Sequence, residues 1–189
     1  KANMITQGDY VDLFEKKLNS FFGSKYSIAV SSGTSALHLA MLSLNLKKKD
    51  KVLTSPISFL ASANCVEYVG AKVEFCDINK ETYTIDPEKI EIKLKKDKNI
   101  KVIIVVDYAG HPADWKKLYY LKKKYNLILV NDNCHAVGSK IKNNPAYAVK
   151  YADIVTQSFH PVKHITTGEG GAAITNNKKI YQKIKILRN

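Results

Sequence analysis

The stretch Tyr26–Leu44, "YSIAVSSGTSALHLAMLSL", decides the fold. Tyr26–Val30 is a short apolar run and reads as a buried strand. Small polar residues and Gly33 follow, just where a helix would begin. A strand that turns at once into a helix is the unit from which layered α/β folds are built.

The same alternation extends in both directions. Upstream, Tyr10–Phe22 reads as an amphipathic helix with Tyr10, Phe14, Leu18 and Phe21 on one face. Downstream, "KVLTS" (51–55) is a strand, and Pro56 and Ser58 open a helix closed by Gly70. "KVEFCDI" (72–78) alternates as a strand does. Asp86 and Pro87 are suited to the N-cap and first position of a helix over 86–96. "KVIIVVDY" (101–108), "LILVND" (127–132), "DIVTQSF" (153–159) and "GGAAITN" (170–176) are further strands. Helices are predicted over 112–126, with Pro112 near the start, and over 178–189. The fold class is therefore α/β, three layers with a mostly parallel sheet. In such sheets ligands sit at the carboxyl ends of strands, beside helix N-termini.

Composition narrows the function classes. The 189 residues suffice for one domain with a sizeable core. The formal net charge is +13, but the lysines are scattered and Arg188 is the sole arginine. Nucleic-acid readers favour arginine for bidentate contacts, so no nucleic-acid partner is expected. A field that attracts an anionic small substrate fits the charge. No apolar run is long enough to span a bilayer, and the first residues lack the apolar stretch of a signal peptide and an initiator methionine. A cytoplasmic protein whose natural start lies elsewhere is expected. Cys65, Cys76 and Cys134 form no CxxC pair and no metal-ligand set, and are expected as reduced, buried thiols.

Chemistry is to be sought at strand ends. In "SSGTSA" (31–36), free N–H groups and hydroxyls at a helix start would cradle a phosphate, with Gly33 allowing close approach; a capped helix without a ligand reads equally well. In "VNDNCHA" (130–136), Asp132 at the end of an apolar strand needs a partner. A protonated ring nitrogen would serve, with His135 bonding another polar atom of that ring; the alternative is a turn cap and a core histidine. Lys163, in "SFHPVKHITTGEGG" (158–171), sits in a loop after Ser158, with Gly168, Gly170 and Gly171 to turn the chain. Desolvated there, a lysine becomes a nucleophile and base; otherwise it is a surface lysine. Phe59 in "SPISF" (55–59) would stack on a flat ring or simply join the core. Phosphate cradle, carboxylate, aromatic platform and activated lysine together are the parts of a pyridoxal-phosphate enzyme.

The chain resembles the sugar aminotransferases of the DegT/DnrJ/EryC1/StrS family, within the fold-type I pyridoxal-phosphate enzymes. The resemblance is carried by "ITQG", "FEKKL", "AVSSGTSALHLAML", "SPISFLASANCVEYVGAKVEFCDI", "VVDYAGHPADW", "DNCHAVGS" and, most specifically, "SFHPVKHITTGEGGAAITN". "PISF", "VDYAG" and "FHPVKHITTGEGG" look most like the aminotransferases of pseudaminic acid synthesis. Those pass an amino group from glutamate to a UDP-linked 4-keto-6-deoxy-N-acetyl sugar.

The resemblance implies roles. Lys163 would hold pyridoxal 5'-phosphate covalently, and Asp132 would pair with its ring nitrogen. His135 would lie near its phenolic oxygen, Phe59 would stack on the ring, and Gly33, Thr34, Ser35 and Ser158 would bind the phosphate. Asn131 departs from the glutamate often found there in the family and is given no role. Residues 1–189 would form the pyridoxal-phosphate-binding large domain, without the C-terminal small domain, and the family pattern implies a homodimer with the site at the interface. The alternatives are another nucleotide-linked keto sugar as substrate, or a non-catalytic module of the same fold. A related dehydratase, with histidine for the lysine, is disfavoured by Lys163.

Overall fold

The computed structural model describes residues 8–144 and 146–189. Its strands are β1 (Tyr26–Val30), β2 (Lys51–Thr54), β3 (Lys72–Phe75), β4 (Ile100–Val106), β5 (Ile128–Asp132), β6 (Ile154–Ser158) and β7 (Gly171–Thr175). Its helices are α1 (Asp9–Phe22), α2 (Gly33–Ser43), α3 (Ala61–Glu67), α4 (Pro87–Lys96), α5 (Trp115–Tyr125), α6 (Tyr147–Tyr151) and α7 (Lys178–Arg188). The strands form a 7-stranded sheet in the order β1-β7-β6-β5-β4-β2-β3. Pairing is parallel from β6 through β3, whereas β7 is antiparallel to both β6 and β1. β1 therefore runs with the parallel strands, and their carboxyl ends share one edge of the sheet.

Strand β4 shows why the sheet is a central layer. Val102 and Ile104 pack with Leu37 and Met41 of α2 and Val66 of α3, whereas Ile103 and Val105 pack with Ile90 of α4 and Trp115 and Leu118 of α5. A strand buried on both faces reads as an unbroken apolar run, as residues 102–106 of this one do. Capping follows the sequence at α4, where the Asp86 side chain accepts from Glu88 N.

Several local expectations are corrected. The buried stripe of α1 is Leu18 and Phe22 with Phe14 packed beside them, while Tyr10 and Phe21 are exposed. A left-handed Gly23 ends the helix just after Phe22. Helix α3 begins at Ala61, not at Pro56 or Ser58, because the Ser55 hydroxyl accepts from Ile57 N and holds a turn there. Helix α5 begins at Trp115, not Pro112, with Asp114 as its cap. Helix α6 has no counterpart in the sequence reading. Cys65 and Cys76 are buried, but Cys134 is only partly so. Ile5, Thr6 and Gln7 of the "ITQG" motif lie outside the described residues. No helix among the described residues is long and apolar enough to cross a membrane.

Candidate active site

The site begins where three elements meet. Helix α2 starts at Gly33, and its cap, Ser32, accepts from Ser35 N at 3.1 Å while Ala36 N bonds Ser32 O at 3.0 Å. The first amides, those of Gly33 and Thr34, are donors the helix itself does not use. A methyl group on Gly33 would stand 2.8 Å from Ser158 Cβ, and one on Gly171 would stand 2.3 Å from the backbone of Ser32. These two glycines let the α2 N-terminus lie directly against the end of β6 and the start of β7. The Ser158 hydroxyl is thereby set beside the helix N-terminus, a place suited to an anion.

Asp132, the last residue of β5, is 5 % exposed. Ser62 Oγ donates to its Oδ2 at 2.6 Å, and Cys134 N donates to its Oδ1 at 3.3 Å. Beneath it lies a second carboxylate, Asp107, fully buried at the end of β4. Oδ1 of Asp107 accepts from Ala113 N and Trp115 Nε1, and Oδ2 accepts from Asn131 Nδ2, Asn133 Nδ2 and Tyr147 Oη. Asp107 N also donates to Asp132 O. Asn131 and Asn133 are the neighbours of Asp132, so this network fixes the strand end that presents it. Burial pushes the Asp107 carboxyl up, and the donors from Ala113, Tyr147, Trp115 and Asn131 oppose that.

Lys163 lies on the loop between β6 and β7. The base of the loop is tied by Phe159 N to Gly170 O at 2.8 Å and Thr167 N to Phe159 O at 3.0 Å. Phe159 itself is buried and meets Phe14 edge-on. Lys163 is half-buried between exposed neighbours, and among the described residues its amine makes no ion pair.

A cavity of about 420 Å³ collects these groups; its wall includes Gly33, Thr34, Phe59, Asp132, His135, Ser158 and Lys163. That volume lies within the range of small-molecule sites. Phe59, 67 % exposed, stands at the mouth and is not core. Ser35 is not part of the wall; its hydroxyl contacts those of Ser31 and Ser32. The sequence reading missed Ser32, Ser58, Cys134, His160 and Glu169 in the wall and Ser62 behind it. His135 is partly buried, and this, with the charge of Lys163, holds its imidazole below the usual histidine range. Burial and the charge of Asp132 push the Cys134 thiol well up, so it stays protonated.

The residues suit pyridoxal phosphate. The donor set of helix amides and hydroxyls fits an anionic phosphate, the buried carboxylate fits a cationic ring nitrogen, and Lys163 lines the same cavity. Among the described residues there is no cluster of metal-ligating side chains.

Sheet, helix N-terminus and strand-end groups define the class: the fold-type I architecture of pyridoxal-phosphate-dependent transferases. The chain superposes on the Helicobacter pylori PseC aminotransferase of pseudoaminic acid biosynthesis with a TM-score of 0.92 and 34% identity, covering 100% of this chain and 50% of that one. NtdA from Bacillus subtilis, solved with bound cofactor PMP, matches with a TM-score of 0.88 and 34% identity over 95% of this chain and 40% of that one. A Campylobacter jejuni (strain 81-176) protein named UDP-4-amino-4,6-dideoxy-N-acetyl-beta-L-altrosamine transaminase is 45% identical over 190 residues, 100% of this chain and 50% of that protein. The chain belongs to the DegT/DnrJ/EryC1/StrS aminotransferase family, whose profile matches residues 1–189. It spans about half the length of the curated relatives it matches.

Proposed function

We propose that this chain is the pyridoxal-phosphate-binding large domain of an aminotransferase that moves an amino group from glutamate to a nucleotide-linked keto sugar. The observation that carries this is the convergence of Lys163, Asp132 and the α2 N-terminus on one cavity. The 45% identity to an altrosamine transaminase favours a UDP-linked 4-keto-6-deoxy-N-acetyl sugar over other keto sugars. A cytoplasmic homodimer with the site at its interface belongs to the same proposal.

When bound, pyridoxal phosphate withdraws electrons from the carbon bearing the transferred amine, so that this carbon can lose a proton. The chain's own groups do the rest. Gly33 and Thr34 amides and the Thr34 and Ser158 hydroxyls would bind the phosphate. Asp132, held by Ser62 and Cys134 N, would pair with the ring nitrogen. His135, neutral at pH 7, offers a hydrogen bond without adding charge. Phe59 would cover one ring face. Lys163 would hold the cofactor at rest, and as a free amine would take up the proton released from the amine-bearing carbon of the donor.

The test is to add pyridoxal phosphate to the purified chain, reduce with borohydride and map the peptides. A single modified residue, Lys163, is the expected result. Modification spread over the surface lysines instead would overturn the assignment. With a full-length protein, turnover of UDP-linked and other nucleotide-linked keto sugars then decides the substrate.

A further inference from the structure

Asp132 does not face the cavity alone. Its Oδ2 is 2.6 Å from Ser62 Oγ, and Ser62 Oγ is 2.7 Å from Ser58 Oγ. Ser62 is fully buried, whereas Ser58 is half-buried and forms part of the cavity wall. A serine hydroxyl has one proton to give, and an ionised carboxylate can only accept. Ser62 therefore gives its proton to Asp132, and Ser58 must be the donor to Ser62. The chain of hydrogen bonds has one direction, from the cavity wall inward to the carboxylate. Each donated bond polarises the next, so Ser58 strengthens Ser62 as a donor.

We propose that Ser58 and Ser62 are positioning residues: they draw negative charge of Asp132 away from the cavity and so set how strongly this carboxylate holds a proton on the ring it faces. This rests on the cofactor reading above. A carboxylate with a hydroxyl donor is a weaker base than one without. With Ser62 in place, the field of Asp132 on the cavity is moderated; without it, the full charge stands toward the cavity and favours cationic forms of whatever is bound. The other ionisable groups around the cavity are Lys163, His135, Cys134, His160 and Glu169, with His164 acting on His135. None of them is altered by changing either serine.

The experiment is a pH titration of the visible absorption band of the chain loaded with pyridoxal phosphate. It compares the wild type with Ser62→Ala and Ser62→Thr, each checked for folding by circular dichroism. For Ser62→Ala the midpoint is expected to rise by roughly half a pH unit to one unit, and for Ser62→Thr, which keeps the hydroxyl, to return to the wild-type value. A loss of stability alone moves the melting temperature but not this midpoint. An unmoved midpoint in folded Ser62→Ala, or a threonine variant that behaves like alanine, overturns the proposal. Should Ser62→Ala fail to fold, Ser58→Ala takes its place, with a smaller rise expected and no rise counting against the relay. A wild-type chain that gives no band at all removes the cofactor reading and the relay with it. A wild-type band whose midpoint ignores both serines removes the relay alone.

Discussion

Gly33 and Ser158, from opposite ends of the chain's order, meet so closely that a methyl group on the glycine would lie 2.8 Å from the serine's Cβ. This contact seats helix α2 on the end of β6. Gly33→Ala is expected to destabilise the chain by about 1–3 kcal/mol, as overpacking does. Urea unfolding measures it, and adding Ser158→Gly should recover most of the loss. Equal, additive losses would show that the contact is not the cause.

Lys163 is half-buried on a loop and, among the described residues, has no ion pair. Lys163→Ala is therefore expected to change stability by less than about 0.5 kcal/mol, as surface substitutions do. The same variant should give no borohydride-trapped cofactor by mass spectrometry. A trapped adduct elsewhere in the cavity would remove Lys163 from its role.

Asp107 gathers donors from β5, α6 and the start of α5. Asp107→Ala would leave those buried donors unmatched, and a loss of about 3–5 kcal/mol is expected in urea unfolding. Tyr147→Phe, which removes a donor to Asp107 and the acceptor of one Asn133 Nδ2 bond, should cost about 1–3 kcal/mol. A mild effect in Asp107→Ala would mean that water replaces the carboxylate.

His135 carries a pH signature. Its folded-state pKa lies below the ordinary 6.5, first because of burial and then because of Lys163. Below 6.5 the unfolded chain takes up a proton that the folded chain refuses. Its contribution is thus complete above that value and is lost as the pH falls beneath it. Melting temperatures measured from about pH 8 down to about pH 5 should fall more for the wild type than for His135→Gln. Parallel curves would contradict this.

The layered fold was legible because strands buried on both faces leave unbroken apolar runs, as at 102–106. Strand direction was not: β7 is as apolar as β6, and nothing in "GAAIT" shows that it runs backwards. The groups with chemistry of their own, Asp132, His135 and Lys163, stood out at strand ends. Ser62 did not, since a serine in the first turn of a helix is ordinary and its partner lies 70 residues away. Asp107 stood out only as part of a motif, because its donors come from segments that the sequence alone does not bring together. Helix α6 is one turn and a half of Tyr147–Tyr151, too short for periodicity to register.

The clamp at the base of the Lys163 loop has a kinetic meaning. With Phe159 bonded to both Gly170 and Thr167, the loop is anchored like the bight of a closed knot. Whatever distance the amine must travel is then covered by its own four methylenes, rotating within nanoseconds or faster, and not by slower travel of the backbone. Under the proposed function, proton transfer by this lysine should accordingly be insensitive to solvent viscosity.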